Sequence, residues 1–160
     1  SEHHLSHYFE IVGILRGEKY LPHGIDVCNS AILTARLRER LLSLENLDAY
    51  THHFDSAVYE SEIRRIYGSI AEEIFALQSK LGWYGVDRVS VYKKKWRDIK
   101  TLLKDAPSAA EMQALTEQVG LSHTDFLSLY GEEKIKDALL YAKDLKDRYT
   151  VLWLYYDLFA

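Results

Sequence analysis

The stretch GIDVCNSAILTARLRERLLSLE, from Gly24 to Glu45, decides the fold. Ile25, Val27, Cys28, Ile32, Leu33, Ala35, Leu37, Leu41 and Leu42 recur at spacings of three and four, which is the period of a helix and not of a strand. Its early part is apolar round most of its circumference, so it predicts a central helix, the most buried of its domain, with Cys28 as a small buried hydrophobe. Before it, Gly17 to Gly24 reads as a turn containing Pro22. Leu5, Tyr8, Phe9, Ile11, Val12 and Leu15 predict a first helix over 2–16, stopped at Gly17. After it, Asn46 to Phe54 reads as a loop, and Asp55 or Ser56 caps a helix bearing Val58, Ile63, Ile66 and Tyr67. Gly68-Ser69 marks a turn before a helix over 70–81. A further turn at 85–88 precedes a helix over 89–103, with Lys93, Lys94 and Lys95 on its solvated side.

Ser108 with Glu111 three residues on forms a capping box for a short helix ended by Gly120. Ser122 and Asp125 repeat the start signal before 126–130, and the last helix covers 132–146. Tyr149 to Phe159 reads as a terminal segment packed on the rest. Two prolines and eight glycines are too few for a turn-dense sandwich or barrel. The expectation is an all-α bundle of six to eight helices.

With 160 residues, 48% hydrophobic and 28% charged, the chain suits one domain with its own core. Twenty Lys and Arg against 24 Asp and Glu give a formal charge of −4, so no positive field draws nucleic acid or anionic lipid. The lone Cys28 cannot form an internal disulfide and fits a reducing cytoplasm. No apolar run approaches the roughly 20 residues of a membrane span, and the first residues are unlike a signal peptide, so a cytoplasmic chain without membrane insertion is expected. No repeat, phosphate-cradling glycine loop or serine elbow occurs.

Chemistry concentrates in histidines. His3 and His7 stand at i and i+4 and share one helix face, where two imidazoles can bind a divalent metal, or one can bind metal while the other meets a substrate. The spacing alone equally fits exposed polar residues or the remnant of a tag. His23, fixed between Pro22 and Gly24 at the mouth of the second helix, can reach the face of the first. His52, His53 and His123 read as surface residues.

Ser1-Glu2-His3-His4-Leu5-Ser6-His7, followed by Leu21-Pro22-His23-Gly24, resembles the serine-led H-x-x-x-H and the H-G motifs of the iron-containing alcohol dehydrogenase, glycerol dehydrogenase and dehydroquinate synthase superfamily. More narrowly it is similar to the sn-glycerol-1-phosphate dehydrogenase branch, as are Arg64-Arg65-Ile66-Tyr67-Gly68 and Arg148-Tyr149-Thr150-Val151-Leu152. The resemblance implies the helical C-terminal domain of a two-domain enzyme. A Rossmann-like domain expected upstream would bind NAD or NADP and supply an Asp ligand. It implies His3 and His23 as ligands of a divalent Zn, Ni or Fe ion, and His7 as the catalytic residue facing the nicotinamide and substrate; His4 has no role in the motif. The implied reaction interconverts dihydroxyacetone phosphate and sn-glycerol 1-phosphate, so the expected partners are a small phosphorylated triose or polyol, the upstream domain and a second copy in a homodimer. Ile25-Asp26-Val27-Cys28 departs from the Glu or Gln and Val-Gly usual after His-Gly. Arg16, Lys19 and the triple lysine are candidate phosphate holders. Alternatives are another polyol, the dehydroquinate synthase reaction, or a helical interaction domain without catalysis. The 160 residues alone are expected to lack turnover and to bind metal weakly.

Overall fold

A computed structural model describes all residues, 1–160, and contains only helices: α1 (Glu2–Arg16), α2 (His23–Leu42), α3 (Ser56–Tyr67), α4 (Ala71–Leu81), α5 (Val89–Lys104), α6 (Ala109–Gln118), α7 (His123–Tyr141) and α8 (Val151–Phe159), with tight 3-10 turns at Gly68–Ile70, Trp83–Gly85 and Ala142–Leu145. The expected local signals start and stop them. The Asp55 carboxylate accepts from the backbone N–H groups of Ala57 and Val58 at the start of α3, and Ser108 with Glu111 forms the capping box of α6. Gly17, at φ 63° and ψ 29°, ends α1 in the left-handed conformation that glycine reaches without a Cβ penalty.

One core of 29 buried residues runs from Leu5, Tyr8 and Phe9 of α1 to Leu152, Trp153 and Leu158 of α8, as one all-α bundle requires. The Lys93 to Lys95 side of α5 is exposed, as its spacing predicts. No helix is long and apolar enough to cross a membrane.

Several expectations need correcting. The second helix ends at Leu42, not Glu45. Its first two turns bury Asp26, Asn29 and Ser30 rather than apolar residues, and Cys28 is exposed. The apolar positions Ile25 and Val27 there are only half-buried, while α2 packs chiefly against α1 and α6. The most completely buried helix is α8, with Leu152, Trp153, Leu154, Tyr155, Tyr156 and Leu158 all inside. The boundary read between 126–130 and 132–146 holds: Gly131, whose φ of 73° and ψ of 162° are non-helical, divides α7 into two helical runs there. The last turn of that reading is instead the 3-10 turn 142–145.

That turn carries an unusual interior. Lys143 and Asp144 are both fully buried. The Lys143 ammonium donates to the Tyr84 hydroxyl (2.6 Å) and to Asp144 Oδ2 (2.7 Å), and lies 3.7 Å from the centroid of the Tyr156 ring. Tyr84 in turn donates to Asp144 Oδ1 at 2.7 Å, and Gln78 Nε2 donates to the Asp144 carbonyl at 2.9 Å. Burial pulls the Lys143 pKa down to about 8 and pushes that of Asp144 up, each opposed by the attraction of the other.

Candidate metal centre

The first turns of α1 and α2 lie side by side, and the connection between them determines which residues meet. Gly17 reverses the chain. Tyr20 then folds back on α1, so close that a Cβ on Gly13 would stand 2.8 Å from its Cδ1. The Leu21 N–H donates to the Tyr130 hydroxyl at 3.0 Å, and that hydroxyl donates to the Asp26 carboxylate at 2.8 Å. Tyr130, on α7, therefore ties the end of the connection to the first turns of α2. Pro22 caps that helix and His23 is its first residue.

The result is a cluster of three imidazoles. Ring centroids are 6.3 Å apart for His3 and His7, 5.3 Å for His3 and His23, and 5.0 Å for His7 and His23. One ring nitrogen from each lies within 4.8 Å of the others, the only such group of three among the His, Cys, Asp and Glu side chains. Around a tetrahedral ion with bonds of about 2.1 Å, nitrogens sit roughly 3.4 Å apart, so small side-chain rotations bring these donors onto one cation. His3 and His23 are exposed and His7 is half-buried, which leaves the centre open to an ion or substrate.

Two side chains organise the rings from behind. Ser6, fully buried, places its hydroxyl 3.1 Å from His23 Nδ1 and 3.4 Å from the His23 carbonyl oxygen. Glu10 Oε2 lies 3.7 Å from His7 Nδ1 and 3.9 Å from His23 Nδ1. The His7 pKa is lowered, first by burial and then by the charge of Lys146.

The remaining histidines lie elsewhere. His52 is half-buried and His53 exposed, outside the cluster. His4 points into the bundle, 4% exposed, with Nε2 unpartnered. The surface reading of His123 is wrong: it is 2% exposed, its Nδ1 is 3.0 Å from Asn29 Oδ1, and its ring stacks on Phe126. Its partner is 94 residues away and the local pattern around Ser122 shows only a helix start, so nothing nearby signals burial.

Among the candidate phosphate holders, Arg16 is engaged with the carbonyls of Arg65 and Ile66. Lys19 and the triple lysine stand in solvent. Two cations not counted among the candidate phosphate holders reach this end of the bundle: Lys146 acts electrostatically on both His4 and His7, and Arg148 on His4. They follow the turn 142–145, which packs on α1. Asp26, at the position where the chain departs from the expected pattern, is fully buried, and burial pushes its pKa up to about 6 against the lowering effect of the Tyr130 hydrogen bond.

No family model, curated protein or solved structure matches the chain.

Proposed function

We propose that the chain is the helical, metal-binding domain of an NAD(P)-linked polyol-phosphate dehydrogenase that interconverts dihydroxyacetone phosphate and sn-glycerol 1-phosphate. The observation that carries the reading is the meeting of His3, His7 and His23, with ligand atoms within 4.8 Å of one another. The donor set fits the group: unhindered imidazole nitrogens suit Zn, Ni or Fe ions. His3 and His23 would hold the ion, together with a carboxylate and the nicotinamide cofactor supplied by a preceding domain. When bound, the ion polarises the substrate oxygen as a Lewis acid.

The chain's own residues do the rest. His7, one helical turn from His3 and with its pKa lowered by burial, would exchange a proton with the substrate oxygen as that oxygen gains or loses charge. Glu10 beside His7 Nδ1 favours a proton on that nitrogen and leaves Nε2 for the exchange. Lys146 and Arg148 bring positive charge near the cluster, beside the carboxylates of Glu2 and Glu10, and would meet a phosphate-bearing substrate.

Calorimetry with Zn²⁺ or Ni²⁺ at neutral pH tests the site. Weak binding of one ion by the 160-residue chain is expected, abolished by His3→Ala and His23→Ala and untouched by His52→Ala; binding that survives both of the first two variants overturns it. Reduction of dihydroxyacetone phosphate by NAD(P)H is expected only from a chain extended upstream by a nucleotide-binding domain. Turnover by these residues alone overturns the two-domain reading.

A further inference from the structure

A histidine can give a metal only one nitrogen, and that nitrogen must be free of its proton. In neutral imidazole the proton sits on Nδ1 or Nε2, and which one carries it is set by the hydrogen bond the ring makes on its other side. Ser6 is the side chain that touches His23 in this way. Its hydroxyl is fully buried, and its only hydrogen-bonding partners are Nδ1 of His23 at 3.1 Å and the carbonyl oxygen of the same residue at 3.4 Å.

The two contacts together select a tautomer. The serine hydroxyl has one proton. If it is donated to Nδ1, the carbonyl contact becomes an approach of two oxygens with no proton between them. If it is donated to the carbonyl, Nδ1–H donates back to the serine oxygen, and two hydrogen bonds form from two protons. The second arrangement makes two hydrogen bonds where the first makes one. A separate observation points the same way: the Glu10 carboxylate lies 3.9 Å from Nδ1, which favours a proton on that nitrogen over Nε2.

We propose that Ser6 is a positioning residue that holds His23 in its Nδ1–H tautomer, so that Nε2 is the unprotonated atom offered toward His3 and His7. The chain would thus carry a donor already in its metal-accepting form, with the ring oriented from behind by a buried hydroxyl. The proposal rests on the reading of His23 as a metal ligand, but the tautomer can be measured without any metal.

Long-range proton–nitrogen correlation spectra of the ¹⁵N-labelled, metal-free chain near pH 8 decide it. Expected for His23 are a protonated, pyrrole-type Nδ1 and an unprotonated, pyridine-type Nε2. In Ser6→Ala the pattern is expected to move toward the Nε2-protonated form, with the amide spectrum otherwise native. Should Ser6→Ala fail to fold, Ser6→Thr and Ser6→Val repeat the comparison as a pair of equal size with and without the hydroxyl. Thr should keep the pattern and Val should lose it. A wild-type His23 protonated at Nε2, or a pattern unchanged when the hydroxyl is removed, overturns the proposal. A Co²⁺ titration of the same samples supplies the second readout, with affinity expected to fall about 10- to 100-fold in Ser6→Ala. Absence of Co²⁺ binding by wild type, with the tautomer as expected, counts against the metal reading and not against the role of Ser6. Undiminished Co²⁺ affinity in a Ser6→Ala chain whose tautomer has moved shows that the hydroxyl does not prepare the ligand, and also overturns the proposal.

Discussion

The bundle holds two clusters of ionisable side chains, built on opposite rules. Around Lys143 the charges are answered from inside the bundle: ammonium to carboxylate and phenol, phenol to carboxylate, with aromatic rings sealing the outside, while Gln78 Oε1 and Trp153 Nε1 at its edge have no partner. Around His23 the rings of His7 and His23 are held by Ser6 and Glu10, and one nitrogen of each of the three rings lies within 4.8 Å of the others at an open surface. Paired charges closed off from water mark a cluster that maintains the fold. Unsatisfied donors gathered at an open surface mark one that waits for a ligand. The contrast matters because composition alone cannot separate the two.

Substitution is the strongest way to break the comparison. Lys143→Met leaves Asp144 buried without its cation and should cost about 3–5 kcal/mol of unfolding free energy in a urea titration. His3→Ala and His23→Ala should each stay within roughly 0.5 kcal/mol of wild type by the same measurement. Equal losses at the two clusters would erase the distinction drawn between them. Metal sharpens it next: Zn²⁺ at about 100 times its Kd should raise stability by about 2.7 kcal/mol through the open cluster. That gain should vanish in His3→Ala and His23→Ala and persist in Asp55→Ala.

Acid distinguishes two further buried groups. The His123 pKa is held down at about 4, chiefly by burial, so the stability that follows from its neutral form is present above pH 6.5 and lost as pH falls toward 4. Asp26 runs the other way: its pKa is pushed up to about 6, so its contribution is complete below pH 4 and is lost as pH rises through 6. In Asp26→Asn the opposing contribution is gone, and stability should fall more steeply on acidification than in wild type, by roughly 2–3 kcal/mol between pH 6.5 and 4. Identical pH profiles would show that Asp26 is not buried as an ionised carboxylate at neutral pH. The smallest effect is a baseline remote from both clusters. Asp55→Ala removes the cap of α3 and should cost about 1 kcal/mol in thermal unfolding, with Zn²⁺ binding unaltered.

How much of this was legible in the sequence depends on how far apart the interacting residues lie. The helices were readable because their periods and caps are local, as at Ser108 and Glu111. The meeting of His3 with His7 followed from one helical turn, and that of His23 from a short connection. Asp26, Asn29 and His123 were misjudged because their partners, Tyr130 and each other, stand about a hundred residues off. Lys143 looks like any solvated lysine until Tyr84, Tyr141, Trp153 and Tyr156 are brought round it from three separate segments. Gly131 is a local signal of the same kind as the caps, and the break it makes falls where the boundary between two helical runs was read.

The hydrogen bond from Leu21 to Tyr130 also imposes an order in time. A ribosome adding roughly 5–20 residues per second needs about 5–20 s to pass from residue 23 to residue 130. Throughout that interval the emerging chain carries His3, His7 and His23 without the tyrosine that fixes the connection between their helices. The three imidazoles are thus translated well before the tyrosine that locks the connection between their helices, so a nascent chain presents loose metal ligands before it presents a site.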